Sequence, residues 1–158
     1  MAQITPFTWY KQESAPAFAG MKGDISFDVC DSFASEGGVN PGEAVIRGTD
    51  AAFQCKAAST TGDGAKVIGI AVHVHREPAT GSNKYYEAGY CLPVMSFGDV
   101  YVKAGGDVTA GDAVAVVLAT GVFVKNPSTT TAGTEKIDGM TFIDSGASGD
   151  LVRIRVRK

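Results

Sequence analysis

The residues best suited to metal or acid–base chemistry are the two histidines of the sequence, His73 and His75. They are two positions apart in the run VIGIAVHVHR (67–76), so on a β-strand both would face the same side, as paired metal ligands of cupin-type barrels do. A closed site needs at least a third ligand, and the positions where a glutamate would follow hold Ala79 and Thr80. We therefore expect a solvated or interface face here and no bound metal.

A second chemical possibility is a modified lysine. The segment GDVYVKAGGDVTAGDAVAVV (98–117) contains Gly-Asp hairpins similar to those that present a lysine in lipoyl- and biotin-carrying domains. However, Lys22 lies far upstream of this segment, and Lys125 lacks the flanking residues of such a site. The sequence also has no G-x-S-x-G elbow, no G-x-x-x-x-G-K-[ST] loop and no G-x-G-x-x-G turn. It therefore predicts no cofactor and no enzymatic active site.

The pairing of glycine with an acid instead indicates a turn that is used three times. It occurs in VNPGEAV (39–45), in VTAGDAV (108–114) and, more loosely, in GASGDLV (146–152), at unequal intervals that exclude a solenoid repeat. Glycine adopts positive φ without strain, and the following carboxylate can accept hydrogen bonds from nearby backbone N–H groups. Each phrase therefore predicts a turn directly before a strand.

Short strands are the elements that would position these residues. DISFDVC (24–30) alternates and predicts a half-buried strand, and EAVIR (43–47) and AAFQCK (51–56) flank a turn and predict a hairpin. In 67–76 the core face would comprise Ile68, Ile70, Val72 and Val74.

The rest of the chain continues in the same way. Residues 84–94 can return as an antiparallel partner of 67–76, and further short strands follow around a polar loop at 126–139. No stretch keeps a helical period for three turns. We therefore predict an all-β fold, a compact sandwich or barrel of roughly eight to eleven short strands. One β domain would span residues 19–158, after an extended N-terminal arm of residues 1–18.

Composition limits the classes of partner. The chain has 158 residues, 14 basic and 17 acidic side chains and a formal net charge of −3, so it has no general basic field for nucleic acid. No window approaches the ~18 consecutive apolar residues of a membrane helix, and the first residues lack a signal-peptide pattern. We expect no nucleic-acid or membrane partner, and synthesis in a cytoplasm. Three cysteines without C-x-x-C spacing predict neither a disulfide framework nor a zinc ribbon.

Two surface segments are candidates for contacts with a partner. The arm carries four aromatic residues without strand alternation, which we expect to bind a neighbouring subunit: Phe7, Trp9, Tyr10 and Phe18. The alternative is that Trp9 and Tyr10 cover an open end of their own barrel. The C-terminal RIRVRK places Arg153, Arg155 and Arg157 on one strand face. That face is either a basic stripe for an acidic partner or a solvated face whose like charges discourage edge aggregation.

The order of five segments resembles the cement, or head decoration, proteins of tailed bacteriophages. The segments are SAPAFAG, VIGIAVHVHREP, YYEAGYCLPVMSFGDVYVKA, VTAGDAVAVVLATGVF and GMTFIDSGASGDLVRIRVRK, and together they span most of residues 14–158. The resemblance implies a β protein on the outer surface of an icosahedral head in the virion. Its partner there would be the major capsid protein, whose neighbouring subunits it would clamp, and it would usually be a homotrimer. Closed symmetry would also hide the sheet edges that a monomer leaves open.

Two other hypotheses remain open from the sequence. One is a different β-rich virion or binding module, such as a tail component or a carbohydrate binder. The other is a metal-dependent, cupin-like enzyme built around His73 and His75.

Overall fold

The structure of the protein, a computed structural model, describes residues 17–75, 84–129 and 131–158. The one helical element in these ranges is a short 3-10 turn at Gly64–Lys66, and none of their helices is long and apolar enough to span a bilayer. The predicted all-β class is confirmed. The described ranges contain nine strands: β1 (Val29–Ser35), β2 (Ala44–Arg47), β3 (Gln54–Ala57), β4 (Val67–Ala71), β5 (Cys91–Lys103), β6 (Ala113–Val117), β7 (Phe123–Lys125), β8 (Thr134–Phe142) and β9 (Leu151–Arg157).

The first five strands close into a small barrel. They are hydrogen-bonded in the order β1-β3-β2-β4-β5, and the first half of β5 pairs back with β1. The second half of β5 continues into another sheet in the order β5-β9-β8-β6-β7. A parallel bridge between Ala104 and Phe123 brings β7 next to the end of β5. Strand β5, with 13 residues, is therefore common to both halves of the molecule.

Two apolar cores correspond to these two halves. On β2, Val45 packs inside the barrel, whereas Ala44 and Ile46 pack into the larger core on the opposite side of the same wall. This division follows from the alternation of side chains along a strand. The barrel core contains Phe33, Val39, Val45, Cys55, Ala71, Tyr86, Leu92 and Val94.

The three predicted Gly-acid turns all form. Each glycine has positive φ, and each acid accepts a hydrogen bond from the backbone N–H three residues before it, immediately ahead of β2, β6 or β9. The glycines are Gly42 (φ 81°), Gly111 (φ 93°) and Gly149 (φ 96°), and the bonds are Asn40 N to Glu43 (3.0 Å), Thr109 N to Asp112 (2.9 Å) and Ala147 N to Asp150 (2.9 Å).

The predicted strand at 24–30 forms only at its last two residues, and the prediction is wrong for 24–28. Strand β1 begins at Val29, which faces Phe97 on β5, while the N–H of Gly23 already bonds to the carbonyl of Asp99 on the same strand. Only Gly98 separates these two partners on β5, so the residues between Gly23 and Val29 have no room in the sheet and form a loop. Residues 24–28, with their alternating polarity, therefore form a loop that projects from the protein surface.

Other boundaries also differ from the prediction. The hairpin of β2 and β3 is confirmed. Strand β4 ends at Ala71. Ile70 and Val72 are buried as predicted, whereas Val74, which lies beyond the end of the strand, is 46% exposed. At a β-bulge, one residue step along β2 corresponds to two residue steps along β4. The bulge interrupts the regular alternation of side chains between the two faces of β4. Strand β8 begins at Thr134, inside the predicted polar loop.

Candidate partner-binding surfaces

The residues directly after the predicted arm are hydrogen-bonded to the body. The N–H of Gly20 donates to the carbonyl of Tyr101 (2.7 Å), and the N–H of Tyr101 donates to the carbonyl of Met21 (2.8 Å). The N–H of His73 binds the carbonyl of Gly20 (2.8 Å), and Ala17 is buried. Of the predicted contact residues, Phe7, Trp9 and Tyr10 lie outside the described residues.

Phe18, the fourth predicted contact residue, belongs to an aromatic cluster. Its ring is 48% exposed and meets His73 edge-on, with the ring centroids 4.5 Å apart. On its other side His73 lies 5.0 Å from the ring of Tyr85, whose hydroxyl donates to the carbonyl of Val74 (2.6 Å). Burial, assisted by the nearby His75, lowers the pKa of His73. The His73 ring is therefore partly buried in an aromatic cluster, whereas His75 is exposed.

No metal site is evident in the described ranges, where no group of three or more His, Cys, Asp or Glu side chains comes together. The three cysteines are free thiols. Cys55 is buried in the barrel core, and burial raises its pKa to about 11, which keeps the thiol protonated.

Loop 24–28 is the most prominent apolar feature of the described surface. Ile25 is 105% exposed and extends away from the body, and Phe27 is 76% exposed. The N–H of Ser26 donates to Asp24 (2.8 Å), and an ion pair between Lys22 and Asp28 closes the base of the loop. The loop is therefore held from within and presents its two apolar side chains to the outside.

The base of loop 24–28 packs closely on β5. A Cβ on Gly98, where φ is 131°, would lie 3.0 Å from the Cβ of Asp28. The half-exposed ring of Phe97 lies 6.2 Å from that of Phe27. Sequence reasoning missed this surface because Asp24, Ser26 and Asp28 alternate with apolar residues just as they would on a half-buried strand.

A groove of about 240 Å³ runs beside the loop. Its walls are Ser26, Phe27, Phe97, Gly98, Asp99, Arg155, Val156 and Arg157. The Arg155 guanidinium donates two hydrogen bonds to the buried Asp99 carboxylate, each 2.9 Å long. Arg157 is exposed and forms no ion pair with a carboxylate of the described chain. The groove thus combines the half-exposed ring of Phe97 with the exposed guanidinium of Arg157, whereas Val156 beneath it is fully buried.

The predicted arginine face of β9 is neutralised at two of its three positions. Arg155 pairs with Asp99, and Arg153 donates to both oxygens of Asp144 (2.9 and 2.8 Å). These bonds from Arg153 hold the pKa of Asp144 below its usual value. Strand β9 also lies between β5 and β8. The arginine face of β9 is therefore not a free basic surface, and because β9 is an interior strand its charges do not protect a sheet edge from aggregation.

Comparison with known proteins gives one family and one fold. A family model described as "Structural cement protein (E217 gp24/Pam3 gp6)" matches residues 6–157. No curated protein matches the chain. The chain is similar to a chain of the solved structure "The capsid of Myoviridae Phage XM1", with a TM-score of 0.70, 19% identity, and 93% of this chain and 94% of that chain covered. It also matches "The crystal structure of head fiber gp8.5 N base in bacteriophage phi29", with a TM-score of 0.44, 12% identity, and 82% and 94% coverage. The first likeness shows a shared fold.

Proposed function

The chain belongs to the phage structural cement protein family, and from that premise we propose that it binds the outer surface of an icosahedral phage head and clamps neighbouring major capsid subunits. Family membership makes it a structural protein of the virion that binds capsid proteins. The proposal adds the outer surface, the bridging of neighbours and synthesis in the host cytoplasm. The observation that carries it is the family match over residues 6–157.

We propose a mechanical role without catalysis. A protein that binds the assembled shell but not its separated subunits stabilises the shell by mass action. The closed barrel and the second sheet share β5, so a load applied to one half is transmitted through continuous backbone to the other. A compact body of this kind suits a clamp that resists internal pressure.

The arm supplies the proposed capsid contacts, through Phe7, Trp9, Tyr10 and Phe18. The attachment of residues 20 and 21 to β5 supports this proposal, because it fixes the position on the body from which the arm begins. Burying each such side chain on a partner is worth ~1.5–3 kcal/mol. Several arms engaging together would raise the overall affinity by a factor of order 10²–10⁴.

We also propose a homotrimer on the head, and the family resemblance supports it. The argument from exposed sheet edges does not, because the barrel is closed and β7 meets the end of β5. A density map of the decorated head tests this proposal. Three copies around a local axis would support it, and isolated single copies would contradict it.

The test of head binding is cosedimentation with heads that lack this protein. A truncated chain that begins at Ala17 retains the attachment to β5, and a full-length Phe7→Ser/Trp9→Ser/Tyr10→Ser variant retains the arm but loses its aromatic groups. Both should lose binding and keep the wild-type thermal melt. Phe53→Ser is the matched control, since Phe53 is 70% exposed in the turn before β3. If the triple variant bound heads as the wild type does, the proposed role of the arm would be refuted. A large fall in its melting temperature would instead indicate that Trp9 and Tyr10 cover the open end of their own barrel.

Failure of the wild-type chain to bind heads would refute the proposed function itself. Binding to purified tails or to glycans instead would favour the alternative β-rich module.

A further inference from the structure

The exposed apolar side chains of the described surface are concentrated at one place. Of the nine large apolar residues that are exposed in the described ranges, four belong to loop 24–28 or its base, and we call them the loop patch: Ile25, Phe27, Val29 and Phe97. Val29 and Phe97 are directly opposite each other on β1 and β5, so their side chains lie on the same face. The ring of Phe27 lies 6.2 Å from that of Phe97. A cluster of this kind indicates a contact surface, whereas single exposed apolar residues do not.

The loop patch projects from the body and is held in place from within. Both ends of the loop are bound to β5, on either side of Gly98. An ion pair between Lys22 and Asp28 closes its base, and the N–H of Ser26 donates to Asp24 (2.8 Å). A partner that covers the loop therefore has little conformational entropy to remove from its backbone.

Most charges around the loop patch are compensated within the chain. Hydrogen bonds from Ser26, and then the charge of the nearby Arg155, hold the pKa of Asp24 low, and Lys22 balances the acid at the base of the loop. Arg157 differs, because it lies directly opposite Phe97 on β9, is exposed, and forms no ion pair with a carboxylate of the described chain. The complementary surface therefore has apolar walls for the loop and one carboxylate for Arg157.

We propose that the loop patch is a second capsid contact, in which loop 24–28 enters an apolar recess of the major capsid protein and Arg157 meets a carboxylate at the rim of that recess. The inference rests on the proposed function, since the shell is the partner in both. Family membership gives capsid proteins as the class of partner. The loop also begins three residues after Met21, whose carbonyl is bonded to β5, so it leaves the body close to the point at which the arm begins.

The shape of the loop patch favours the capsid protein over a second copy of the chain. A two-fold contact would set one projecting loop against the same projecting surface of the other copy. The groove beside the loop offers no recess for it, because Phe97 already faces Phe27 of its own loop and Val156 is fully buried. A projecting apolar surface of this kind is covered by a concave surface on a different protein.

The experiment is cosedimentation of the full chain with heads that lack this protein, over a concentration series. Ile25→Ser should weaken head binding by roughly tenfold or more, and Ile25→Ser/Phe27→Ser by roughly a hundredfold or more, because the contact loses one or two buried apolar side chains. Phe53→Ser/Leu151→Ser is the matched control, since it removes two exposed apolar side chains from other elements and should bind as the wild type does. Circular dichroism melts verify that each variant is folded.

Arg157→Gln tests the predicted carboxylate, because the variant keeps a polar side chain but loses the charge. An ion pair at the rim of an interface is weakened by salt. Head binding by the wild type should therefore fall as the salt concentration rises, and binding by the variant should fall less. An equal fall in the two proteins would overturn the pairing of Arg157 with a carboxylate.

The outcomes separate this inference from the proposed function. If the wild type binds heads and Ile25→Ser/Phe27→Ser binds equally well, the loop contact is overturned and the proposed function stands. If the wild type does not bind heads, the proposed function fails and this inference fails with it. Equal weakening by Phe53→Ser/Leu151→Ser would overturn a specific role of the loop. Light scattering of the free proteins covers the remaining occupant, because a smaller mass for the loop variant than for the wild type would overturn the inference in favour of a second copy.

Discussion

At the scale of single residues, the glycine and the acid of each Gly-acid turn perform separate tasks. At the second turn, Gly111 takes a φ of 93°, a conformation that costs other residues energy. Asp112 then accepts the N–H of Thr109, which satisfies a backbone donor before β6 begins. The same division holds at Gly42 and Gly149.

Gly111→Ala isolates the conformational part of this arrangement. A Cβ at Gly111 would meet no heavy atom within 4 Å, so crowding plays no part. We expect a loss of about 1–2 kcal/mol in the free energy of unfolding, measured by urea denaturation. Gly106→Ala is the control, because its Cβ would meet only Val124, at 4.0 Å, and its φ is not positive. Equal losses in the two variants would show that positive φ is not the cause.

His73 should make stability depend on pH in a defined direction. Its folded pKa is lowered, first by burial, so the unfolded chain binds the proton more readily. Stability from this group is therefore complete above the unfolded pKa of ~6.5 and falls as the pH drops from there toward the folded pKa. His73→Phe keeps the ring contacts with Phe18 and Tyr85 and removes the titration. Thermal melts at about pH 7.5 and about pH 5.5 should show a smaller loss for this variant, and an identical loss would contradict the assignment.

At the scale of elements, the close approach of the paired strands β4 and β5 depends on a glycine, which has no side chain. Gly69 lies at the bulge of β4, and a Cβ there would clash with the backbone carbonyl oxygen of Met95 on β5. A clash with backbone cannot be relieved by a rotamer change. The close approach of these two strands therefore requires glycine at this position.

Gly69→Ala should destabilise the protein by about 1–3 kcal/mol, because β4 and β5 must separate to admit the methyl group. Urea denaturation measures the change. Gly37→Ala provides the comparison, since a Cβ at Gly37 meets nothing within 4 Å and its φ is not positive. A change at Gly69 no larger than the change at Gly37 would mean that the strands can move apart freely.

At the scale of the whole molecule, β5 connects two cores that would otherwise be separate. Its first half contributes Leu92 and Val94 to the barrel core, and its second half contributes Val100 and Val102 to the larger core. Unfolding one half would remove a pairing edge from the other. We therefore expect the described body to unfold as one cooperative unit.

Leu92→Ala and Ile154→Ala test this coupling from the two sides. Both side chains are fully buried, one in each core, so each truncation should lower the free energy of unfolding by about 2–5 kcal/mol. Hydrogen exchange through a denaturant series should show strands β3 and β8 losing protection together in both variants. Loss of protection in β3 while β8 stays protected would show two independent units.

The sequence by itself determined the strand class, the three Gly-acid turns and the order of segments that resembles the cement proteins. These features are local, since side-chain alternation and the φ preference of glycine are properties of neighbouring residues. Only the tertiary structure decided whether residues 24–28 form a strand or a loop. The same alternation of polar and apolar residues can occur in a paired strand and in a loop that has no pairing partner.

Long-range partners were likewise decided only in three dimensions. The closure of the barrel pairs Val29 with Phe97, and Arg155 on β9 is neutralised by Asp99, 56 residues before it. No local pattern records which distant carboxylate lies opposite an arginine, because that choice depends on the register of strands far apart in the chain. The apolar loop and its basic groove became neighbours for the same reason.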